Sequence, residues 1–224
     1  MIITIDGPAG SGKSTAARNL AKQLEIAFLD TGATYRATTL RALRENVELA
    51  NEAAMADCAA RLELRMLRRG DDVAVFDAGE DISLAIRTEA VSANARYAAK
   101  PPAVRQVLVA LQREMGRQLG TFVTEGRDQG TVVFPDAEFK FYMVASGEVR
   151  AKRRVEQLAE QGETADFDAV LKNILDRDES DFSRKVGPLK QADNAIVINT
   201  DLNTPEQTIE QMLAHIQGRN NNKT

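Results

Sequence analysis

The sequence predicts an α/β protein in which a five-stranded parallel sheet carries helices on both faces. Three observations predict it. A β-prone run at residues 1–6 leads directly into a glycine-rich turn and then a strong helix former. Short apolar segments recur at 26–29, 121–124, 139–144 and 195–198, separated by helical stretches. Such alternation builds a parallel sheet buried on both sides. Between 26–29 and 121–124 the period drops to two, at 62–66 and 73–76, which reads as an antiparallel hairpin inserted into the α/β frame.

Residues 7–14 read G-P-A-G-S-G-K-S, matching G-x-x-x-x-G-K-[ST], the phosphate-binding loop, with a strand before it and a helix after it as that loop requires. Gly7, Gly10 and Gly12 admit backbone conformations closed to other residues. Successive N–H groups then point inward and cradle phosphate oxygens. The helix that follows, with Ala16, Leu20 and Leu24 on one face, adds its positive N-terminal end. Lys13 is placed for the β- and γ-phosphates and Ser14 for Mg²⁺. Gly7, Pro8, Ala9, Gly10, Ser11, Gly12, Lys13, Ser14 and Thr15 are the candidate nucleotide-binding residues.

After the strand at 26–29 the chain reads D-T-G-A-T-Y-R at 30–36 and enters a helix to about residue 46. An Ala-rich helix follows at 51–60, with Cys58 on its buried side. The hairpin turns at 69–72, and Ile82 offers a short third strand. Helices are expected at 87–99 and 102–119, separated at Pro101 and Pro102 because proline ends a helix. The strand at 121–124 runs into E-G-R-D-Q-G. Ser146 is placed to cap a helix over 147–161. Gly162 ends that helix, and Asp166 caps the next, to about Arg184. Thr204, Pro205 and Gln207 open the last helix with the residues of a capping box and a proline at its first position. Residues 220–224 are a polar tail.

The 224-residue chain is 43% hydrophobic and 28% charged, a globular composition. A net charge of −4 gives no general attraction for nucleic acid, so polyanions must be held by local basic clusters. One cysteine rules out a disulfide framework or a Cys-rich zinc site. The single His215, in the terminal helix, reads as a surface residue rather than a member of a Ser-His-Asp site. No apolar run approaches a membrane span, and Met1 begins the first strand without a signal peptide. The expected location is cytoplasmic.

The stretches after three strands, at 7–14, 30–36 and 125–128, all lie at the carboxyl ends where ligands of such sheets bind. Arginine is the second strong signal. Arg36, Arg87, Arg105, Arg127, Arg150, Arg153, Arg154, Arg177 and Arg184 flank those strand ends or lie on the two helices after residue 144. Arginine pairs bidentately with phosphate and does not deprotonate, so one cleft holding two phosphorylated ligands is the expectation.

With these residues assembled, the chain resembles the bacterial cytidylate kinases. The resemblance rests on the loop after I-T-I-D-G, on residues 30–36, on G-E-D-I-S at 79–83 with I-R-T at 86–88, and on P-A-V-R at 102–105. It rests further on E-G-R-D at 125–128 with G-T-V-V-F-P-D at 130–136, and on R-D-E-S-D at 177–181 with Arg184 and P-L at 188–189. It covers nearly the whole chain in order. The run 126–136 is the most specific to that family; adenylate and shikimate kinases share only the first loop and the architecture.

The resemblance implies a nucleoside monophosphate kinase of the phosphate-loop NTPase class. Its core would lie at about 1–34, 98–145 and 185–224, a monophosphate-binding insertion at about 35–97, and a helical lid at about 146–184. It implies that Arg36 and Arg127 grip the acceptor phosphate, that Arg105 and Asp128 read cytosine, and that Arg177 and Asp181 reach the ribose. Arg184 would hold phosphate, and Thr31 and Tyr35 would line the acceptor site. Lys13, Arg127, Arg153 and Arg184 are the implied catalytic set. ATP, CMP or dCMP and Mg²⁺ on Ser14 are the implied ligands, with no nucleic acid, no membrane and a monomeric chain. UMP, AMP or shikimate as acceptor is the alternative. A GTPase switch is a more distant one, since no N-K-x-D occurs. Arg96 stands where the family has a small hydroxyl residue against the base, and Gln129 where it has Met or an aliphatic residue.

Overall fold

The apolar runs pair as parallel strands. β1 (Ile2–Asp6), β2 (Ala27–Leu29), β6 (Phe122–Gly126), β7 (Phe139–Val144) and β8 (Ile196–Asn199) form one sheet in the order β2-β6-β1-β7-β8. All four pairings are parallel. The computed structural model describes residues 1–70, 72–160 and 162–221. Strand β1 sits at the centre of the sheet, so the loop that follows it opens between the ends of β6 and β7.

Alternation along the strands assigns the two faces. Ile3, Ile5, Val123, Phe139, Phe141 and Met143 pack with α1 (Lys13–Gln23) and α9 (Pro205–Asn221) through Ala17, Leu20, Ile209 and Met212. Phe122 and Leu29 face the other way, onto Met115 of α6 (Pro102–Leu119) and onto Val133 and Phe134. The rings of Phe122 and Phe134 meet edge to face at 5.1 Å, a favoured aromatic geometry. Among the described residues no helix is long and apolar enough to cross a membrane.

A separate hydrophobic cluster gathers two helices, the inserted hairpin and the first turns of α6, through Val104 and Leu108. The helices α2 (Thr31–Arg44) and α3 (Glu52–Ala60) pack Ala37, Ala42, Met55 and Cys58 against Leu64, Val73 and Val75 of the hairpin β3 (Leu64–Arg69) and β4 (Asp72–Asp77). The pairing is antiparallel, as alternation predicts. Cys58 is fully buried there, in agreement with a packing role.

Three expectations are corrected. The third strand, β5, is Glu80–Asp81; Ile82 follows it into the core while donating its N–H to the Val75 carbonyl at 2.9 Å. The helix expected at 87–99 breaks into a 3-10 turn (Ala85–Arg87), α4 (Glu89–Asn94) and α5 (Arg96–Ala99); the first break falls at Thr88, which is extended at φ −62° and ψ 155°. α8 (Phe167–Phe182) stops short of Arg184. Residues 129–133, for which the sequence predicts no element, form a π-helical turn. The caps follow the sequence: Ser146 accepts from Val149 N–H ahead of α7 (Gly147–Glu160), Asp166 from Ala169 N–H, and Thr204 and Gln207 bond reciprocally.

Candidate active site

The phosphate loop is tight because other backbone crowds it. Gly7, at φ 152°, has no room for a side chain: a Cβ there would stand 2.2 Å from the Met143 carbonyl oxygen. Gly12 takes the left-handed conformation, φ 88°, at the N-cap of α1, which glycine adopts freely. Lys13 is buried, and its ammonium donates to the Pro8 carbonyl at 2.6 Å. Burial first, then the neighbouring Arg127 guanidinium, pushes the Lys13 ammonium down to about 7. A polyphosphate would add its countercharge to that of Glu125 and Asp6, which burial outweighs.

Ser14 donates its hydroxyl to Glu125 Oε1 at 2.8 Å. Glu125 is the next-to-last residue of β6, and its carbonyl accepts the Thr31 hydroxyl, also at 2.8 Å. These bonds fasten the starts of α1 and α2 to the end of one strand. A hydroxyl backed by a carboxylate is a hard-oxygen donor set suited to Mg²⁺. Among the described residues no cluster of three or more His, Cys, Asp or Glu could hold a metal. Ser14 and Glu125 therefore fit a cation whose remaining ligands come from a nucleotide and water.

The arginines are arranged as carboxylate pairs. Arg127 donates to Asp181 Oδ2 at 2.6 Å, and Arg184 holds the other oxygen of the same carboxylate. Arg105 and Asp128 form a second pair, 2% and 5% exposed at the side chain. The Arg105 guanidinium also lies 5.6 Å from the Tyr35 ring centre, within cation–π reach. Burial pushes the Asp128 carboxyl up, opposed first by Arg105 and then by Arg184 and Arg127. Neighbour Arg127 is thus not the chief partner of Asp128; Arg105, on α6, is. The reason is that β6 ends at Gly126, and the turn after it sends Arg127 toward α8 and Asp128 toward α6. Arg36 is held by Asp30 at 2.9 Å, and Asp30 also caps α2 through Ala33 N–H.

Tyr35, Arg105, Arg127, Asp128, Asp181 and Arg184 thus form one electrostatic cluster, and Lys13 and Arg177 adjoin it through Arg127. Arg153 lies elsewhere. Its guanidinium is bound to the Thr200 carbonyl and hydroxyl, and the Thr200 hydroxyl donates to the Ser11 carbonyl of the loop at 3.3 Å. Arg150, an undecided candidate in the sequence, is an anchor. It clasps Asp178 at 2.6 and 3.1 Å and donates to the Ala9 carbonyl at 3.0 Å, joining α7 and α8 to the phosphate loop. Arg154 is exposed and bonded to Gln157.

Two contributors escape sequence reading. Gly187, at φ 61°, passes so close to the Arg105–Asp128 pair that a Cβ would stand 2.2 Å from Arg105 Nη2 and 2.3 Å from Asp128 Oδ2. The glycine before Pro188 was the available signal. Glu125 was visible only as part of a polar stretch; its contact with Ser14 crosses 111 positions.

The cytidylate kinase family model matches residues 3–218, almost the full chain. The chain belongs to the cytidylate kinase family. Curated relatives named cytidylate kinase include one from Mannheimia succiniciproducens, 44% identical over 96% of each chain. Another, from Vibrio cholerae, is 41% identical over 97% of this chain and 96% of its own. Haemophilus influenzae has a cytidylate kinase 1 that is 42% identical over 97% of this chain and 94% of its own. Solved structures agree in fold alone. An uncharacterized protein of Eubacterium ventriosum superposes with a TM-score of 0.54 at 14% identity, covering 97% of this chain and 98% of its own. The Thermus thermophilus protein TT1252 gives 0.50 at 18%, over 98% and 97%.

Proposed function

We propose that the protein transfers the γ-phosphoryl group of ATP to CMP or dCMP, giving ADP and CDP or dCDP. The observation that carries this reading is the buried Arg105–Asp128 pair, a donor and an acceptor set beside the arginines that adjoin a phosphate loop. Cytosine presents an exocyclic amino donor next to ring acceptors, and this pair presents the complement.

No nucleophilic side chain is needed, because the acceptor phosphate is already anionic. Catalysis is positioning plus neutralisation of charge on the transferred group. The backbone of residues 7–12 and the Lys13 ammonium bind the donor phosphates. Arg36, Arg127 and Arg184 bind the acceptor phosphate, each held oriented by a carboxylate before it arrives. Ser14, backed by Glu125, would hold Mg²⁺, which supplies charge neutralisation at the β- and γ-oxygens when bound. Thr31 and Tyr35 line the acceptor side. Arg177 and Asp181 are the ribose-side residues, with Asp181 also orienting two arginines. Arg153, held by Thr200, which in turn bonds the Ser11 carbonyl, completes the catalytic set beside the loop. The insertion at about 35–97 and the lid at about 146–184 close over both nucleotides and exclude water, which suppresses ATP hydrolysis.

The test is steady-state turnover with Mg-ATP across CMP, dCMP, UMP, AMP and shikimate. The expected result is the highest kcat/KM for CMP or dCMP; a higher value for another acceptor overturns the reading. A companion result concerns Arg96, which is exposed and stacked 5.0 Å over the Tyr97 ring. Arg96→Ser is expected to leave the CMP-to-UMP ratio of kcat/KM within about threefold, since no base contact is removed. A larger loss of selectivity would show that Arg96 reaches the base.

A further inference from the structure

Asp6 belongs to none of the groups described so far, yet it joins two of them. It is the last residue of β1 and 4% exposed. Its two carboxylate oxygens each accept one backbone N–H from the turn after β6, from Gln129 at 2.8 Å and from Gly130 at 2.7 Å. That turn starts one residue after Asp128. Its own bonds close back on the Asp128 carbonyl, from Val132 at 2.9 Å and Val133 at 3.1 Å.

The junction has no slack on either side. A Cβ at Gly130 would stand 2.9 Å from Thr4 Oγ1 and 3.4 Å from Asp6 Oδ2. One residue beyond Asp6 is Gly7, wedged against Met143. A single residue is thus fastened by its backbone to the phosphate loop and by its carboxylate to the turn that directly follows Arg127 and Asp128.

Lys13, Asp128 and Tyr142 surround the carboxylate electrostatically. Burial pushes its pKa up from 3.8 to about 6, against the pull of the two N–H donors. A group whose pKa is raised on folding stabilises most below 3.8 and loses that contribution as the pH rises through about 6. At neutral pH the charge itself therefore works against folding. What it supplies instead is two directed acceptors at one height.

We infer that Asp6 is a positioning residue that fixes the Arg127–Asp128 turn relative to the phosphate loop, and so sets acceptor affinity and base selectivity without touching the acceptor. The inference rests on the CMP reading above. Asp6→Asn keeps one acceptor and turns an amide donor onto the other N–H. Gly130→Ala leaves the carboxylate intact and wedges the same turn away from Thr4.

The measurements are kcat and KM for ATP, CMP and UMP in the full chain, with thermal melting. Both variants are expected to raise KM for CMP by about tenfold and to lower the CMP-to-UMP ratio by about fivefold or more, while KM for ATP stays within about threefold. A purely structural role would lower the active fraction instead, with kcat falling for both acceptors and the ratio unchanged; that outcome overturns the inference. Should Asp6→Asn not fold, Gly130→Ala decides alone. If the wild type prefers another acceptor, the CMP reading fails, and the inference is then judged by that acceptor's KM against that of ATP.

Discussion

Lys13→Ala is expected to lower kcat by about 10²- to 10³-fold, the cost of removing one preorganised donor from developing charge. The structure says why the loss falls on chemistry rather than on folding. The Lys13 ammonium is desolvated, and its protein hydrogen bonds run to the Pro8 carbonyl and to Ser11 Oγ at 3.5 Å, both within the loop itself. Burying that charge opposes folding, so truncation to Ala leaves the melting temperature within a few degrees. Turnover at saturating ATP and CMP, read beside a melting curve, checks both halves. Near-wild-type turnover with normal melting would remove Lys13 from the mechanism.

Asp128→Asn is expected to narrow the CMP-to-UMP ratio of kcat/KM by about 5- to 150-fold, corresponding to a base-edge contact of about 1–3 kcal/mol. The Asp128 carboxylate, paired with Arg105, accepts from the cytosine amino group but opposes the uracil carbonyl, acceptor against acceptor, so the discrimination holds at a pH where that pair is ionised. An amide can turn its donor toward uracil and lose that discrimination. Arg105 cannot replace the effect, since guanidinium only donates. The structure adds a second consequence. Asp128 is the buried partner of Arg105, and removing one member of a buried pair leaves an uncompensated charge, typically costing about 3–5 kcal/mol. Asn retains one oxygen for Arg105, so the expected melting loss is smaller than for Ala. Selectivity that stays unchanged while both kcat/KM values fall together would make Asp128 a scaffold for Arg105.

The sequence by itself determined the frame and the chemistry nearest to it. A phosphate loop is a local object: the glycines at 7, 10 and 12, the lysine and the serine lie within eight consecutive residues. Strand and helix periodicity is local too, so the parallel sheet, the inserted hairpin and the caps at Ser146, Asp166 and Thr204 were legible. Family resemblance then extended the reading to Arg36, Arg105, Arg127, Asp128, Asp181 and Arg184 as members of one cleft.

What only the tertiary structure decided is which charge meets which. Arg127 and Asp128 are neighbours in sequence, yet one pairs with Asp181 and the other with Arg105, at separations of 54 and 23 positions. Ser14 finds Glu125 across 111 positions, and Asp6 reaches Gly130 across 124. Parallel strands bring their carboxyl ends together at one edge, and the connections between them are long. Partners at that edge are therefore remote in the chain, and no local pattern encodes their pairing. The π-helical turn at 129–133 follows from the same cause: its backbone is held by a carboxylate on a different strand.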